Sequence, residues 1–383
     1  MKILIVGAGF SGATVAQRLT EQLPSCEVTI FESRNHVAGN CHTERDAASN
    51  VMVHKYGPHI FNTNEQAVWD YVSRFTEFQS YTNRVKAVTP KGVFSLPVNL
   101  LTINQFFNVA LNPTEAREFI ESKGDSSITE PANFEEQALK FLGRDLYENF
   151  FYGYTKKQWG CEPTELSASI LKRLPVRFDY NDNYYSKIYQ GIPKDGYTAL
   201  IERMLDHPRI KVELNHPYQR EDSSQFTHTI YTGAIDGFYN HSLGRLGYRT
   251  VTFERIDATG DFQGNAVINY TDANVPYTRI HEHKHFTPWE THEKTVAFRE
   301  FSKETEPSDV PYYPKRLEQD KTLLDRYTKL AGQEKNVSFL GRLATYRYMD
   351  MEHVIDEALQ FSERMIEALT QGGVIPVFPD AKR

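Results

Sequence analysis

The segment Ile3-Leu4-Ile5-Val6-Gly7-Ala8-Gly9-Phe10-Ser11-Gly12 decides how this chain is read. Its uninterrupted apolar run gives a side chain to each face of a sheet, as a parallel strand buried on both sides requires. The turn after it is G-x-G-x-x-G. In that pattern Gly7 permits the tight turn, Gly9 lets backbone approach a pyrophosphate, and Gly12 lets the next helix pack on the strand. Ala13 to Gln22, with Val15, Ala16 and Leu19 at helical spacing, predicts that helix, and Glu27 to Phe31 predicts a second strand. Glu32 closes it 20 residues after Gly12, where the fold needs a carboxylate for ribose hydroxyls. Strand, glycines, helix, strand and acid in register point to a dinucleotide site, with the diphosphate on a helix N-terminus. The apolar run is too short for the core of a secretory leader, so the beginning reads as structure.

The chain has 383 residues, enough for one large α/β domain or two to three modules. Its 43 basic and 50 acidic residues leave a net charge of −7, a field that repels nucleic acid and anionic membranes. An anionic ligand must therefore meet locally placed Arg or Lys. Cys26, Cys41 and Cys161 lack C-x-x-C spacing, which argues against a disulfide framework or a zinc site and for a reducing cytoplasm. No stretch is long and apolar enough for a membrane-spanning helix, and a soluble protein is expected.

The residues beyond the second strand select the dinucleotide. Ser33-Arg34-Asn35-His36-Val37-Ala38-Gly39-Asn40 adds a basic residue and a second glycine turn, which resembles FAD enzymes of the glutathione-reductase type. Thr229 to Gly233 reads as another buried strand ending in Thr-Gly. Val337-Ser338-Phe339-Leu340-Gly341-Arg342 reads as a strand leading to a helix over Met351 to Leu369, with Asp350 placed to cap it. A second helix terminus of this kind suits the cofactor's diphosphate or ribityl chain. With no second G-x-G-x-x-G, a nicotinamide reductant is expected to bind only transiently.

The expected architecture is a discontinuous FAD-binding Rossmann-like domain (1–76, 190–243 and 330–383) with two further parts. A helical domain over 100–176 is marked by Asn133 and Glu136, a capping-box pattern, followed by Leu139, Leu142, Leu146 and Phe150. An antiparallel-sheet domain over 77–99, 177–189 and 244–329 is marked by Ala266 to Tyr270 and Thr295 to Phe298. Between Phe150 and Tyr197, 11 of 48 residues are aromatic, and Phe150-Phe151-Tyr152-Gly153-Tyr154-Thr155-Lys156-Lys157-Gln158-Trp159-Gly160 mixes rings with polar groups in a way that suits stacking a base. Arg173 and Arg279 are candidates for a diphosphate, since guanidinium forks match phosphate oxygens. His281, His283 and His285 alternate on a predicted strand with Tyr277 and Arg279; without a completing ligand they read as polar residues of a cleft or exposed face, not as a metal site.

Taken together, these segments resemble the prokaryotic UDP-galactopyranose mutases over nearly the whole chain. The marks are the flavin fingerprint, His54-Lys55-Tyr56-Gly57-Pro58-His59-Ile60-Phe61, Tyr154 to Gly160, Lys172 to Arg177, Gly264 to Asp272 and Gly341 to Asp350. The resemblance implies an isomerase that interconverts UDP-galactopyranose and UDP-galactofuranose with no net redox change, in which N5 of reduced FAD attacks the anomeric carbon. It implies Arg173, Arg279 and His59 as catalytic residues, with Arg173 on a mobile loop. Tyr184, Tyr313 and Tyr348 are implied as diphosphate partners, and Phe150, Phe151, Tyr154, Thr155 and Trp159 as the uridine set, with Asn83 and Asn269 as further contacts. The implied FAD contacts begin with Gly7, Gly9, Phe10, Ser11, Gly12, Glu32, Ser33, Arg34, Gly39 and Asn40. They continue through His59, Ile60, Gly233, Arg342, Tyr348, Asp350 and Met351. The same resemblance implies a homodimer whose partner molecule is a nucleotide-diphosphate sugar.

One position departs from the family. Members commonly carry His where this chain has Asn62, near flavin and sugar, so N-acetylgalactosamine on UDP or a deoxyhexose on thymidine diphosphate is an alternative substrate. An amine-oxidase-type FAD oxidoreductase and a non-catalytic nucleotide-sugar sensor are the competing classes. The oxidoreductase has no need for two Arg and three Tyr arranged for a diphosphate, and tight sugar-nucleotide binding without turnover by the reduced protein would favour the sensor.

Overall fold

The computed structural model describes residues 1–168 and 176–380. Strand β1 (Lys2–Val6) lies in the middle of a five-stranded parallel sheet, between β2 (Glu27–Phe31) on one side and His228–Tyr231 on the other. Ile210–Glu213 and Val337–Phe339 form its edges. Ile5 is flanked by Ile30 and Ile230, all fully buried, as the unbroken apolar run requires. Helix α1 (Phe10–Gln22) starts inside the fingerprint itself and packs beside the long helix Met351–Gln371. Gly12 makes the approach possible: a Cβ there would overlap the Gly7 carbonyl oxygen.

A second sheet has seven strands, in the order Tyr313–Pro314, Tyr248–Thr259, Lys294–Glu304, Arg279–Glu282, Val267–Tyr270, Val85–Thr89 and Gly92–Leu96. Its expected antiparallel character holds except where Val267–Tyr270 runs parallel to Val85–Thr89. The two come from distant parts of the chain, so no tight hairpin forces them to oppose each other. The helix Glu318–Ala331, most of which falls in the residues assigned to this sheet's domain, sends Tyr327 and Ala331 into the cluster around Tyr231 and Phe339 beside the parallel sheet. A small sheet of Phe61–Thr63, Tyr189–Pro193 and Phe78–Ser80 lies apart from both.

The helices of the middle region fall at Leu100–Phe107, Pro113–Lys123, Phe134–Leu146 and Gly153–Trp159. Asn133 caps its helix by accepting from the Glu136 amide, but the Glu136 carboxylate returns to Ala132 N and not to Asn133 N, so only half of the capping box forms. Between the last two helices Tyr147–Tyr152 is a π-helical turn, a widening that often accompanies binding sites. Phe150, expected to stack on a base, packs edge-on against Phe94 and Phe106 in the helical core.

Where the small strand Met52–His54 meets the seven-stranded sheet, the core is seamed with histidines. The predicted strand carrying His281, His283 and His285 ends at Glu282, and His283 opens a 3-10 turn. The three rings therefore do not share an exposed face. His281 and His283 are fully buried, and His285 turns toward Asp261 and Glu282. The Glu282 carboxylate is taken up by the amides of Phe262, Gln263 and Gly264 and by Thr295 Oγ1, so this group anchors a loop. The His54 and His59 amides step across the seam, donating at 3.2 Å to His283 Nδ1 and to His54 Nδ1 respectively. Those bonds require neutral rings. Burial, reinforced by neighbouring basic groups, holds His54 and His281 well below the ordinary histidine range and His283 at about 3.

The unfolded chain protonates these three rings below about pH 6.5 while the native state does not, so unfolding takes up protons and acid destabilises the fold. Lowering the pH from 7 to 5.5 is expected to cost about 1 kcal/mol per ring. Urea unfolding at the two pH values measures this, and equal midpoints would contradict the neutral seam.

Candidate active site

A cleft of about 640 Å³ opens at the carboxyl ends of the parallel strands, the usual ligand position in such sheets. Val6 and Gly7 enter it from β1, Phe31 and Glu32 from β2, and Thr232 and Gly233 from beyond the third strand. Gly7 has φ +104°, and a Cβ there would overlap Thr232 Oγ1, so the two strand ends close together only around a glycine. Glu32 is 6 % exposed, and its two oxygens accept at 2.9 Å from Ala8 N and Arg34 N.

Two long helices begin at this cleft, α1 behind Gly9 and Met351–Gln371 behind Asp350. Neither N-terminus has a side-chain cap. Asp350 holds the N-cap position, as expected, but makes no capping hydrogen bond, because its residue faces the cleft. Uncapped first-turn amides with the positive ends of two dipoles favour an anion between them. Arg34 donates through Nη2 to Asn40 Oδ1 at 2.9 Å and lies over the Tyr56 ring, yet its buried Nη1 has no protein partner. An orphaned guanidinium nitrogen in a cleft with two free helix N-termini fits a dinucleotide diphosphate. On these features the residues present suit FAD. All the expected cofactor contacts line the cleft except Gly12, which lies behind it against β1.

His59 lies in the cleft wall with Ile60 and Asn62. Its Nδ1 is 2.8 Å from Gly57 O, which fixes the proton there and leaves Nε2 as an acceptor. Burial lowers its pKa to about 4, so the ring is neutral at physiological pH. Asn62 donates to Ile60 O at 3.1 Å.

Arg279 also lines the cleft, within electrostatic reach of His59, and its Nη2 is 2.9 Å from Glu300 Oε2. The antiparallel register sets Arg279 directly opposite Glu300, and the carboxylate is completely buried. Burial works against the guanidinium charge, but Glu300 and the tyrosines around it hold the pKa well above the ordinary value. His281 stands 3.3 Å from the same carboxylate as a neutral ring, so that contact is not an ion pair. Burial raises the hydroxyl pKa of Tyr154, Tyr184 and Tyr313, and the Arg279 charge pulls each back, which puts all three within its electrostatic reach. Tyr313 stacks on Tyr348 at 5.9 Å, under Arg342. Tyr154, Tyr184 and Tyr313, from well-separated parts of the sequence, thus gather near one arginine, with Tyr348 stacked on the last of them.

Of the other expected substrate residues, Phe151, Thr155 and Trp159 belong to the helical part and do not line this cleft. Asn83 and Asn269 are buried with their Oδ1 atoms unpartnered, acceptors left open in a dry setting. Arg173 lies outside the described residues. Sequence reasoning did not single out Glu300, Tyr185 or the wall formed by His216, Tyr218 and Phe238. The only signal for Glu300 is a Glu beside an Arg just past the strand predicted over Thr295 to Phe298, and its meaning depends on strand register. Tyr185, next to Tyr184, faces the cleft.

Comparison with known proteins agrees with this geometry. The family model for UDP-galactopyranose mutase matches residues 149–348, and the model for an NAD(P)-binding Rossmann-like domain matches residues 5–75. A probable UDP-galactopyranose mutase of Klebsiella pneumoniae is 52 % identical over 98 % of this chain and 97 % of its own length. A dTDP-fucopyranose mutase of Escherichia coli is 50 % identical over 96 % of this chain and 98 % of its own. A crystal structure of reduced UDP-galactopyranose mutase superposes with a TM-score of 0.71 at 15 % identity, over 97 % of this chain and 96 % of that one, a likeness of fold. On the family model and the identity along nearly its whole length, the chain belongs to the UDP-galactopyranose mutase family of flavin-dependent isomerases.

Proposed function

We propose that this protein interconverts UDP-galactopyranose and UDP-galactofuranose, with the sugar held between the flavin end of the cleft and Arg279. The observation that carries this reading is the position of Arg279, backed by buried Glu300, within electrostatic reach of Tyr154, Tyr184 and Tyr313, and lining a dinucleotide cleft. The nucleophile for the anomeric carbon is the chemistry that FAD, bound and reduced, supplies.

The protein's part is position and charge. Arg279, with Arg173, binds the substrate diphosphate and stabilises the charge that grows on it as the glycosyl bond breaks. Tyr184, Tyr313 and Tyr348 donate hydroxyl hydrogen bonds to the same oxygens, raised pKa values keeping Tyr184 and Tyr313 protonated as donors, and Tyr154 stands with the residues that hold the base. His59 presents a lone pair on Nε2 to a sugar hydroxyl or a flavin N–H. Thr155, Trp159, Phe151, Asn83 and Asn269 hold the uracil. The three unpaired cysteines support action in a reducing cytoplasm, and no helix among the described residues is long and apolar enough to cross a membrane. The product is a furanose donor for polysaccharide biosynthesis and the working form is a homodimer, a reading supported by the likeness to a mutase along its whole length.

A second reading keeps the chemistry and changes the sugar. Asn62 in the cleft wall and the 50 % identical dTDP-fucopyranose mutase favour a 6-deoxyhexose on thymidine diphosphate.

Dithionite-reduced protein given UDP-galactofuranose is expected to form the pyranose, while oxidised protein does not; no conversion by flavin-loaded protein that still binds UDP would move the assignment to another nucleotide sugar. In the same assay Arg279→Ala and Arg173→Ala should each lower turnover by about a hundredfold or more. Near wild-type rates for either would remove it from the diphosphate site. Asn62→His should change the ratio of kcat/KM for UDP-galactofuranose to that for dTDP-fucofuranose, and an unchanged ratio would show that residue 62 does not read the sugar.

A further inference from the structure

Lys157 lies within the segment Tyr154 to Gly160 and has no part in the chemistry derived above. Its ammonium group nevertheless makes three directed contacts, donating to Tyr270 O at 2.8 Å, Asp272 O at 2.8 Å and Tyr277 O at 3.0 Å. An ammonium has three protons, and here each is used on a main-chain carbonyl. The three acceptors belong to one hairpin loop, closed at its base by the Tyr270 N to Thr278 O bond. That loop joins the strand ending at Tyr270 to the strand beginning at Arg279. Burial lowers the lysine pKa to about 8, and the Asp272 charge works against that shift.

The rest of the junction is equally close. A Cβ on Gly153 would overlap Thr271 O, so the helix Gly153–Trp159 begins in direct contact with the same loop. Thr271 Oγ1 donates to Asn149 O at 2.6 Å, one turn earlier. At the helix C-terminus, buried Arg249 donates to Lys157 O at 3.2 Å and Gln158 O at 3.1 Å, and Ser302 Oγ donates to Gln158 O at 2.7 Å. The helix is therefore fixed at both ends, with Lys157 as the link to the loop that leads into Arg279.

We propose that Lys157 is a positioning residue for the nucleotide: it locks the helix carrying Tyr154, Thr155 and Trp159 to the hairpin loop that presents Arg279, and so sets the spacing between base and diphosphate subsites. This rests on the reading of those residues as the nucleotide site. Without the ammonium, three loop carbonyls lose their donor and the joint keeps only the Gly153 contact and the Thr271 to Asn149 bond, while the FAD end of the cleft is untouched. The cost falls on substrate affinity, because the two subsites must be brought to the right distance at binding.

The test uses full-length, FAD-loaded protein and UDP as the probe. Lys157→Met, close in length and without donors, is expected to raise the Kd for UDP by about tenfold and KM alike, with FAD content unchanged and kcat lowered far less. Lys157→Arg, which keeps charge and donors, should recover at least about threefold of that loss. If Lys157→Met does not fold, Thr271→Val removes the Thr271 to Asn149 bond at the same joint and should raise the Kd about threefold or more. A Kd within about twofold of wild type for whichever variant folds overturns the proposal. Equal loss of FAD and UDP would show a merely structural lysine and overturns it too. Wild-type protein that does not bind UDP would instead overturn the nucleotide reading beneath it.

Discussion

The ion pair between Arg279 and Glu300 is the contact on which the site depends. A protein with net charge −7 that binds a diphosphate needs a cation that cannot be lost, and a lone guanidinium half-buried among tyrosines would be costly to desolvate. The carboxylate beneath it offsets that cost and fixes its direction. Because the two residues face each other across neighbouring antiparallel strands, the geometry is set by sheet register and does not rely on flexible side chains finding each other. The tyrosines then add hydrogen-bond donors without adding charge.

Around this pair the fold supplies two surfaces that meet. The parallel sheet brings glycine-lined strand ends and two uncapped helix N-termini, a setting for the cofactor's diphosphate. The seven-stranded sheet brings Arg279. They are joined by a seam of neutral histidines, where the His54 amide bonds His283 and the His59 amide bonds His54. The loop holding His59 and Ile60 in the cleft is thereby tied to the turn just beyond Arg279. Both ends of the cleft share one polar joint, and its rings stay uncharged because they are buried.

Local signals were legible wherever a short segment carries its own physics. The unbroken run before Gly7 gave a buried parallel strand because no polar side chain interrupts it, and Gly7 and Gly12 mark places where a Cβ would collide with Thr232 or with the Gly7 carbonyl. Asp350 was legible as a helix start but not as an open one, since whether a carboxylate caps its helix or turns to a cleft depends on the groups opposite. Phe150 resembled a stacking residue in sequence and is a core residue in space, because Phe94 and Phe106, far earlier in the chain, close over it. The parallel pairing inside the second sheet had no local signal at all.

By itself, then, the sequence determined a dinucleotide-binding βαβ unit and the segments that carry the family resemblance, and it singled out Arg279 as a candidate for a diphosphate. These come from periodicity, glycine sterics and side-chain chemistry, all of which act within a few residues. Only the tertiary structure decided that Glu300 lies under Arg279, that Tyr154, Tyr184 and Tyr313 come within its electrostatic reach, and that Lys157 grips the loop leading to it. Those relations join residues far apart along the chain, and their distances are set by strand register and by the packing of one sheet against another.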